Sequence, residues 1–165
     1  MDKLEDLEPL PATIHVHEGE DGYSYQNLFG QYLQGAKSIH IVDPYVRLEY
    51  QIRNFLAIIG IFNTTNGPVE LILTTSADDA YQERNIGKKL DEIKTNVAKH
   101  GVNLLYDLSP TVHRRGIEAD NGWKIIIDRG LDIFQKPDSK YELSEIDQTK
   151  RKCRETDIIF QQAKG

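Results

Sequence analysis

At 165 residues the chain has the length of one domain, enough to bury a sizeable core, and its 39% hydrophobic and 28% charged residues are ordinary for a soluble globular protein. No apolar run approaches the ~20 residues that span a bilayer, and the opening Met-Asp-Lys-Leu-Glu-Asp lacks the basic-then-apolar order of a secretory signal. The formal net charge of −6 sits in residues 1–22, where Lys3 faces seven acidic groups, so the rest is balanced and an anionic partner is not excluded.

The lone cysteine, Cys153, rules out an internal disulfide and a cysteine-based zinc site, which points to a reducing, cytoplasmic setting. Residues 1–12, with Pro9 and Pro11, read as an acidic leader or linker, and residues 13–165 as a single domain.

Thr13 to His17 alternates as a short strand does, and a turn from Gly19 to Gly22 follows. Ser24 to Leu33 carries Tyr25, Leu28, Phe29, Tyr32 and Leu33 on one helical stripe that stops at Gly35. Ser38 to Val42 is a buried type of strand, and Asp43-Pro44 predicts the start of a helix running to about Phe62. Val69 to Thr74 is a second such strand. A charged amphipathic helix from about Glu83 to His100 is closed by Gly101, and a third strand covers Val102 to Tyr106.

From residue 111 the pattern changes to two strands, Val112–Glu118 and Trp123–Asp128, around Ala119-Asp120-Asn121-Gly122. The Asn-Gly pair predicts a type I′ turn. Gly130 to Phe134 predicts a short helical turn, Pro137 to Lys152 a polar loop, and Glu155 to Gln162 a last strand. Strands alternating with helices and then a hairpin predict an α/β layered fold with a mixed central sheet flanked by helices.

The segment His113-Arg114-Arg115-Gly116-Ile117-Glu118-Ala119-Asp120 reads H-x-R, four residues, then D. It resembles the H-x-K, four residues, D motif of the phospholipase D superfamily with one basic residue exchanged. With Asp43-Pro44-Tyr45-Val46-Arg47, Arg129-Gly130-Leu131-Asp132-Ile133-Phe134-Gln135-Lys136-Pro137 and Cys153-Arg154-Glu155-Thr156, the resemblance narrows to the MIT C-terminal domain family and covers the chain from about Thr13 onward. The helical hairpin that precedes the domain in family members is not among these residues, so the hairpin's own partners are not expected here.

The resemblance implies roles for three residues. His113 would attack phosphorus, Arg115 would grip phosphate oxygens, and Asp120 would sit in the polar network around the histidine. On an extended strand His113 and Arg115 share a face. Arginine binds oxyanions through a planar fork, but it is bulkier than lysine and keeps its proton. The superfamily's Gly-Ser-x-Asn element is matched only by Ile127-Asp128-Arg129-Gly130-Leu131, without Ser or Asn. Two departures in one site predict a degenerate module in place of an efficient enzyme.

One motif per chain implies a homodimer if two histidines are to meet. Tyr45 and Arg47, after a central strand, are expected to line the cleft with His113, while Asp43-Pro44 serves the helix start. The basic cluster Lys150, Arg151, Lys152 and Arg154, with Lys136 and Lys140 upstream, is the expected contact for an anionic phospholipid surface. No cofactor and no metal are expected: His15 and His17 share one strand face, but the sequence places no third ligand.

The leading expectation is therefore a non-catalytic phospholipase D-like module on anionic membranes, associating peripherally from the cytoplasm as the targeting part of a larger assembly. A metal-independent phosphodiesterase using His113 from both subunits is the alternative. A protein adaptor or fused upstream domain, and less so nucleic acid, complete the partner classes.

Overall fold

The computed structural model describes residues 9–162. Residues 1–8, most of the expected leader, lie outside them. Strand β1 is Ala12–Val16, helix α1 Tyr25–Leu33, β2 Ser38–Val42, α2 Glu49–Ile59, β3 Val69–Thr75, α3 Ala80–Ala98 and β4 Val102–Leu108. The hairpin β5 Gly116–Ala119 and β6 Trp123–Ile127 follows, then β7 Thr156–Gln162. The seven strands form one sheet in the order β1-β7-β6-β5-β2-β3-β4. β2, β3 and β4 run parallel and all other pairings are antiparallel, as the alternation of helices and then a hairpin predicts.

The crossovers β2–α2–β3 and β3–α3–β4 step in one direction across the sheet. Right-handed connections therefore place both helices on the same face. Strand burial alternates accordingly: Val69, Leu71 and Leu73 are buried while Glu70 is exposed. Helix α1 joins that face through Phe29 and Tyr32, whose rings lie 6.3 and 4.1 Å from that of Phe160, and Tyr32 meets Trp123 edge-on at 4.9 Å. Tyr25, on the same stripe, anchors the first turn of α1, its hydroxyl donating to the Leu131 carbonyl at 2.5 Å. Burial among apolar atoms holds that phenol well above its usual pKa.

Helix α1 starts where Ser24 caps it, the Ser24 hydroxyl accepting from Asn27 N–H and the Asn27 side chain accepting from Ser24 N–H. Asp79 caps α3 in the first of these ways, which moves its start ahead of the expected Glu83. No helix among the described residues is long and apolar enough to cross a membrane.

Several expectations need correction. Asp43 does not cap a helix: α2 begins at Glu49, and the Gln51 side chain accepts from Leu48 N–H in its place. Strand β5 begins at Gly116 and not at Val112. Its neighbour β2 pairs as far as Val42↔Gly116 and then runs into Pro44, which has no N–H to offer, so residues 112–115 lose a partner on that side. The β5–β6 connection has three residues, Asp120 to Gly122, with Gly122 at φ +97° and no other positive φ there. It is thus a hairpin loop with one left-handed residue and not a type I′ turn, which needs two. Gly130 to Phe134 forms a turn and a single bridge, Phe134↔Cys153, in place of a helical turn. Within the expected polar loop, Leu143–Glu145 and Gln148–Lys150 wind into two 3₁₀ turns.

Candidate functional site

The carboxyl ends of β2, β3 and β4 lie at one end of the sheet. Because β5 runs against β2, the segment leading into Gly116 reaches that same end. Loops after β2, β3 and β6 therefore converge with His113–Arg115, where open α/β sheets gather their ligands.

Asp43 organises this end. It is only 3% exposed, and its two carboxylate oxygens accept from Tyr45 N–H at 2.9 Å and Leu131 N–H at 2.9 Å. Burial raises its pKa, and the two backbone donors and nearby Arg115 partly offset the rise. The carboxylate thus ties the loop after β2 to the turn after β6. Gly130 makes room for it: a Cβ there would stand 2.4 Å from Asp43 Oδ2.

Tyr45, held by this tie, lies between two guanidinium groups, 4.8 Å from Arg115 Cζ and 5.2 Å from Arg47 Cζ. The two arginines differ in what they have left to offer. Arg47 donates to the Pro44 carbonyl and to Ser76 Oγ and pairs with Asp78 at 2.7 Å, so each of its three nitrogens has a partner and its side chain is only 14% exposed. It is a structural ion pair. Arg115 gives one N–H to the Asp128 carbonyl at 3.0 Å and otherwise faces an open cleft of about 450 Å³. His113 and Arg114 share that cleft with Gly116, Ile126 and Asp128; Tyr45 and Arg47, expected to line it, do not, and only Tyr45 meets Arg115.

The three motif residues do not come together. His113 is exposed and takes part in no hydrogen bond or ion pair among the described residues. Asp120 stands at the other end of β5, beyond Ala119, where its carboxylate accepts from Lys37 N–H at 2.9 Å. Arg115, with one N–H given to the Asp128 carbonyl, keeps further guanidinium N–H groups for an anion.

The basic cluster is also divided. Arg151 donates to the Ser144 carbonyl at 2.5 Å and lies 3.6 Å from Glu145, and Arg154 donates to the Phe134 carbonyl. Lys150 and Lys152 are exposed, as are Lys136 and Lys140 upstream.

A family model described as the phospholipase D-like domain at the C-terminus of MIT matches residues 22–162. The chain belongs to this family. The chain is also similar to mouse MIT domain-containing protein 1, with 36% identity over 147 residues, which is 88% of this chain and 59% of the mouse protein. The chain thus spans about three fifths of that relative's length. Among solved structures, a mutant of yeast tyrosyl-DNA phosphodiesterase 1 gives a distant likeness, with 10% identity and a TM-score of 0.35 over 90% of this chain and 31% of that one.

Sequence reasoning named His113, Arg115 and Tyr45; the fold of this MIT C-terminal domain places the first two on one cleft and Tyr45 against Arg115. The same reasoning missed Asp43 as the organiser, and Ser76 and Asp78 as the groups that occupy Arg47. These partners lie 29 and 31 positions from Arg47 or, for Leu131, 88 from Asp43, and only the parallel pairing of β2 with β3 and the closure of β6 bring them in. For His15 and His17, which the sequence put on one strand face with no third ligand, the fold supplies Glu155, and the ligand atoms of the three lie within 4.8 Å of one another.

Proposed function

We propose that this MIT C-terminal domain is a non-catalytic phospholipase D-like module that binds phosphate groups of anionic phospholipids at a membrane surface, acting as a homodimer. The observation that supports it is the contrast between Arg115 and His113. Arg115 is braced on Tyr45 and by the Asp128 carbonyl with its fork turned to an open cleft, whereas His113 lacks an orienting partner and Asp120 is at the far end of β5. Such a site grips an oxyanion without activating an attacking group. Exposed Lys150 and Lys152, with Lys136 and Lys140, add positive charge for the lipid surface. A single motif per chain favours a twofold pair that brings two clefts to one surface.

Co-sedimentation with phosphatidylserine-containing vesicles tests this reading. Binding weakens as salt rises, since the Debye length is ~10 Å at 0.1 M and shorter above it. Removing both Lys150 and Lys152 by alanine costs about 2 kcal/mol, roughly thirtyfold in affinity. Arg115→Ala removes a charge-assisted contact of about 1.5–3 kcal/mol, a tenfold to hundredfold loss. Equal sedimentation of wild type and these variants would discard the membrane reading. Light scattering that finds only monomer at micromolar concentration would discard the twofold pair.

The same domain turns over no phosphodiester above background. A missing oxyanion contact alone costs on the order of a hundredfold or more in rate, and an unoriented nucleophile compounds it. An aryl phosphodiester, single-stranded DNA and phosphatidyl lipids are the substrates to assay without metal. Hydrolysis that disappears in His113→Ala would put a phosphodiesterase in place of the binding module.

A further inference from the structure

Strand β1 is an edge of the sheet, and its only neighbour is β7. In their antiparallel register His15 stands directly opposite Asp157 and Val16 opposite Thr156, so the next position sets His17 against Glu155. Alternation turns all four side chains to the same face, the one the helices leave open. The two imidazole rings lie 4.5 Å apart at 73°, converging edge-on and not stacking. His15 Nε2 is 3.0 Å from Glu155 Oε2, and the ligand atoms of His15, His17 and Glu155 all lie within 4.8 Å of one another.

We propose that His15, His17 and Glu155 form a binding site for a divalent transition-metal ion of the zinc class, with Asp157 orienting His15. Two imidazoles and one carboxylate suit zinc and its first-row neighbours, and not magnesium or calcium, which take oxygen ligands. Ligands at 2.0–2.1 Å around a tetrahedral ion are about 3.4 Å apart. The His15–Glu155 pair already has that spacing, and the rest closes by about an ångström through rotation of exposed side chains. Water fills the fourth position.

The surroundings have the form that metal-binding histidines use. Asp157 Oδ1 is 2.5 Å from His15 Nδ1, so with Nδ1–H donated to Asp157, a metal ion would displace the proton from Nε2, the nitrogen that faces Glu155 Oε2 at 3.0 Å. Glu155 is fixed in turn, its N–H donating to Glu18 Oε1 at 3.0 Å and its carbonyl accepting from Arg129 Nε at 2.8 Å. His17 is held by its N–H donating to Glu20 Oε1 at 2.5 Å. Two carboxylates against one imidazole leave excess negative charge where the cation would sit. The group sits on the β1–β7 edge beside the Arg115 cleft, with Asp128 of the cleft rim donating its N–H to the Asp157 carbonyl at 3.0 Å.

Isothermal titration of the chelator-treated protein with zinc ion alone tests the assignment. One ion per chain binds to the wild type. His15→Ala/His17→Ala and Glu155→Ala lose that isotherm, and Asp157→Asn weakens it tenfold to a hundredfold through the support it removes. Magnesium gives no heat at the same concentrations. All four side chains are exposed, so these variants melt as the wild type does in the absence of metal, and a melt confirms that each is folded. X-ray absorption at the zinc edge of the wild type supplies a readout independent of any variant, with scattering from two imidazoles expected. An unchanged isotherm in the folded double histidine variant, or an edge spectrum with no imidazole, overturns the site.

Discussion

Replacing Asp43 by alanine lowers stability at pH 7 by about 2–3 kcal/mol, a fall in Tm of roughly 5–10 °C for a domain of this size. The loss comes from two backbone donors. Leu131 N–H is buried and has no route to water once the carboxylate is gone, and Tyr45 N–H is half-buried. An orphaned buried donor costs about 1–3 kcal/mol, and relief from holding a desolvated carboxylate returns part of that. The pH dependence carries a sign that identifies the residue. Burial raises the folded-state pKa of Asp43 above its unfolded value. Its contribution is therefore fully present below the unfolded carboxylate value of about 4 and is lost as pH rises through the raised folded value. The gap between wild type and Asp43→Ala narrows over that rise and is flat beyond it. Thermal melts of both proteins across the acid range measure this. A gap that widens with pH would mean that Asp43 is held ionised and that its two backbone donors outweigh its burial.

The same substitution reaches the cleft. Asp43 fixes Tyr45, and Tyr45 braces Arg115, so Asp43→Ala weakens anion binding although it contacts no ligand. Gly130→Ala attacks the arrangement from the other side, by placing a Cβ 2.4 Å from Asp43 Oδ2 at a backbone φ of +66°.

What could be read from the residues alone follows from range. Strands β2, β3, β4 and β7 lie within two residues of expectation because apolar alternation and flanking Gly, Pro and Asp mark them locally. Helix α1 is legible in full, since its stripe and its capping box are both local. Asp43 was misread for the opposite reason. Asp-Pro is a fair helix-start signal, but a donor 88 residues away on the turn after β6 claims the side chain. Likewise His-x-His at the end of β1 and Glu-x-Asp at the start of β7 are each unremarkable alone. Only their pairing, 138 or more residues apart, makes a four-residue group. Motif spacing was readable but not its consequence: the four residues of β5 carry Asp120 to the far end of the strand that His113 precedes.

Gly116 is where motif and fold meet, and Gly116→Ala is expected to damage both. It pairs with Val42 on one side and Ile126 on the other, directly after Arg115. A Cβ built there stands 2.2 Å from the Ile125 carbonyl oxygen, 3.3 Å from its carbon and 3.4 Å from Ile126 Cα. These are backbone atoms of a paired strand, so no side-chain rotation relieves the overlap and β5 must move away from β6. Overpacking of this kind costs about 1–3 kcal/mol, occasionally more. Movement of β5 also carries Arg115 off Tyr45 and the Asp128 carbonyl, and anion affinity falls with stability. Gly122→Ala at the tip of the same hairpin separates the two effects. Gly122 has φ +97° and no atom within 4 Å of a built Cβ, so alanine there meets only the left-handed backbone penalty of about 1–2 kcal/mol. It should lower Tm and leave phosphate binding at Arg115 intact, whereas Gly116→Ala should lose both. Titration of each folded variant with inorganic phosphate, followed by a chemical-shift probe on Arg115, reads the difference. If Gly116→Ala binds phosphate as the wild type does, the β5–β6 approach is not what positions the guanidinium, and the brace must come from Tyr45 alone.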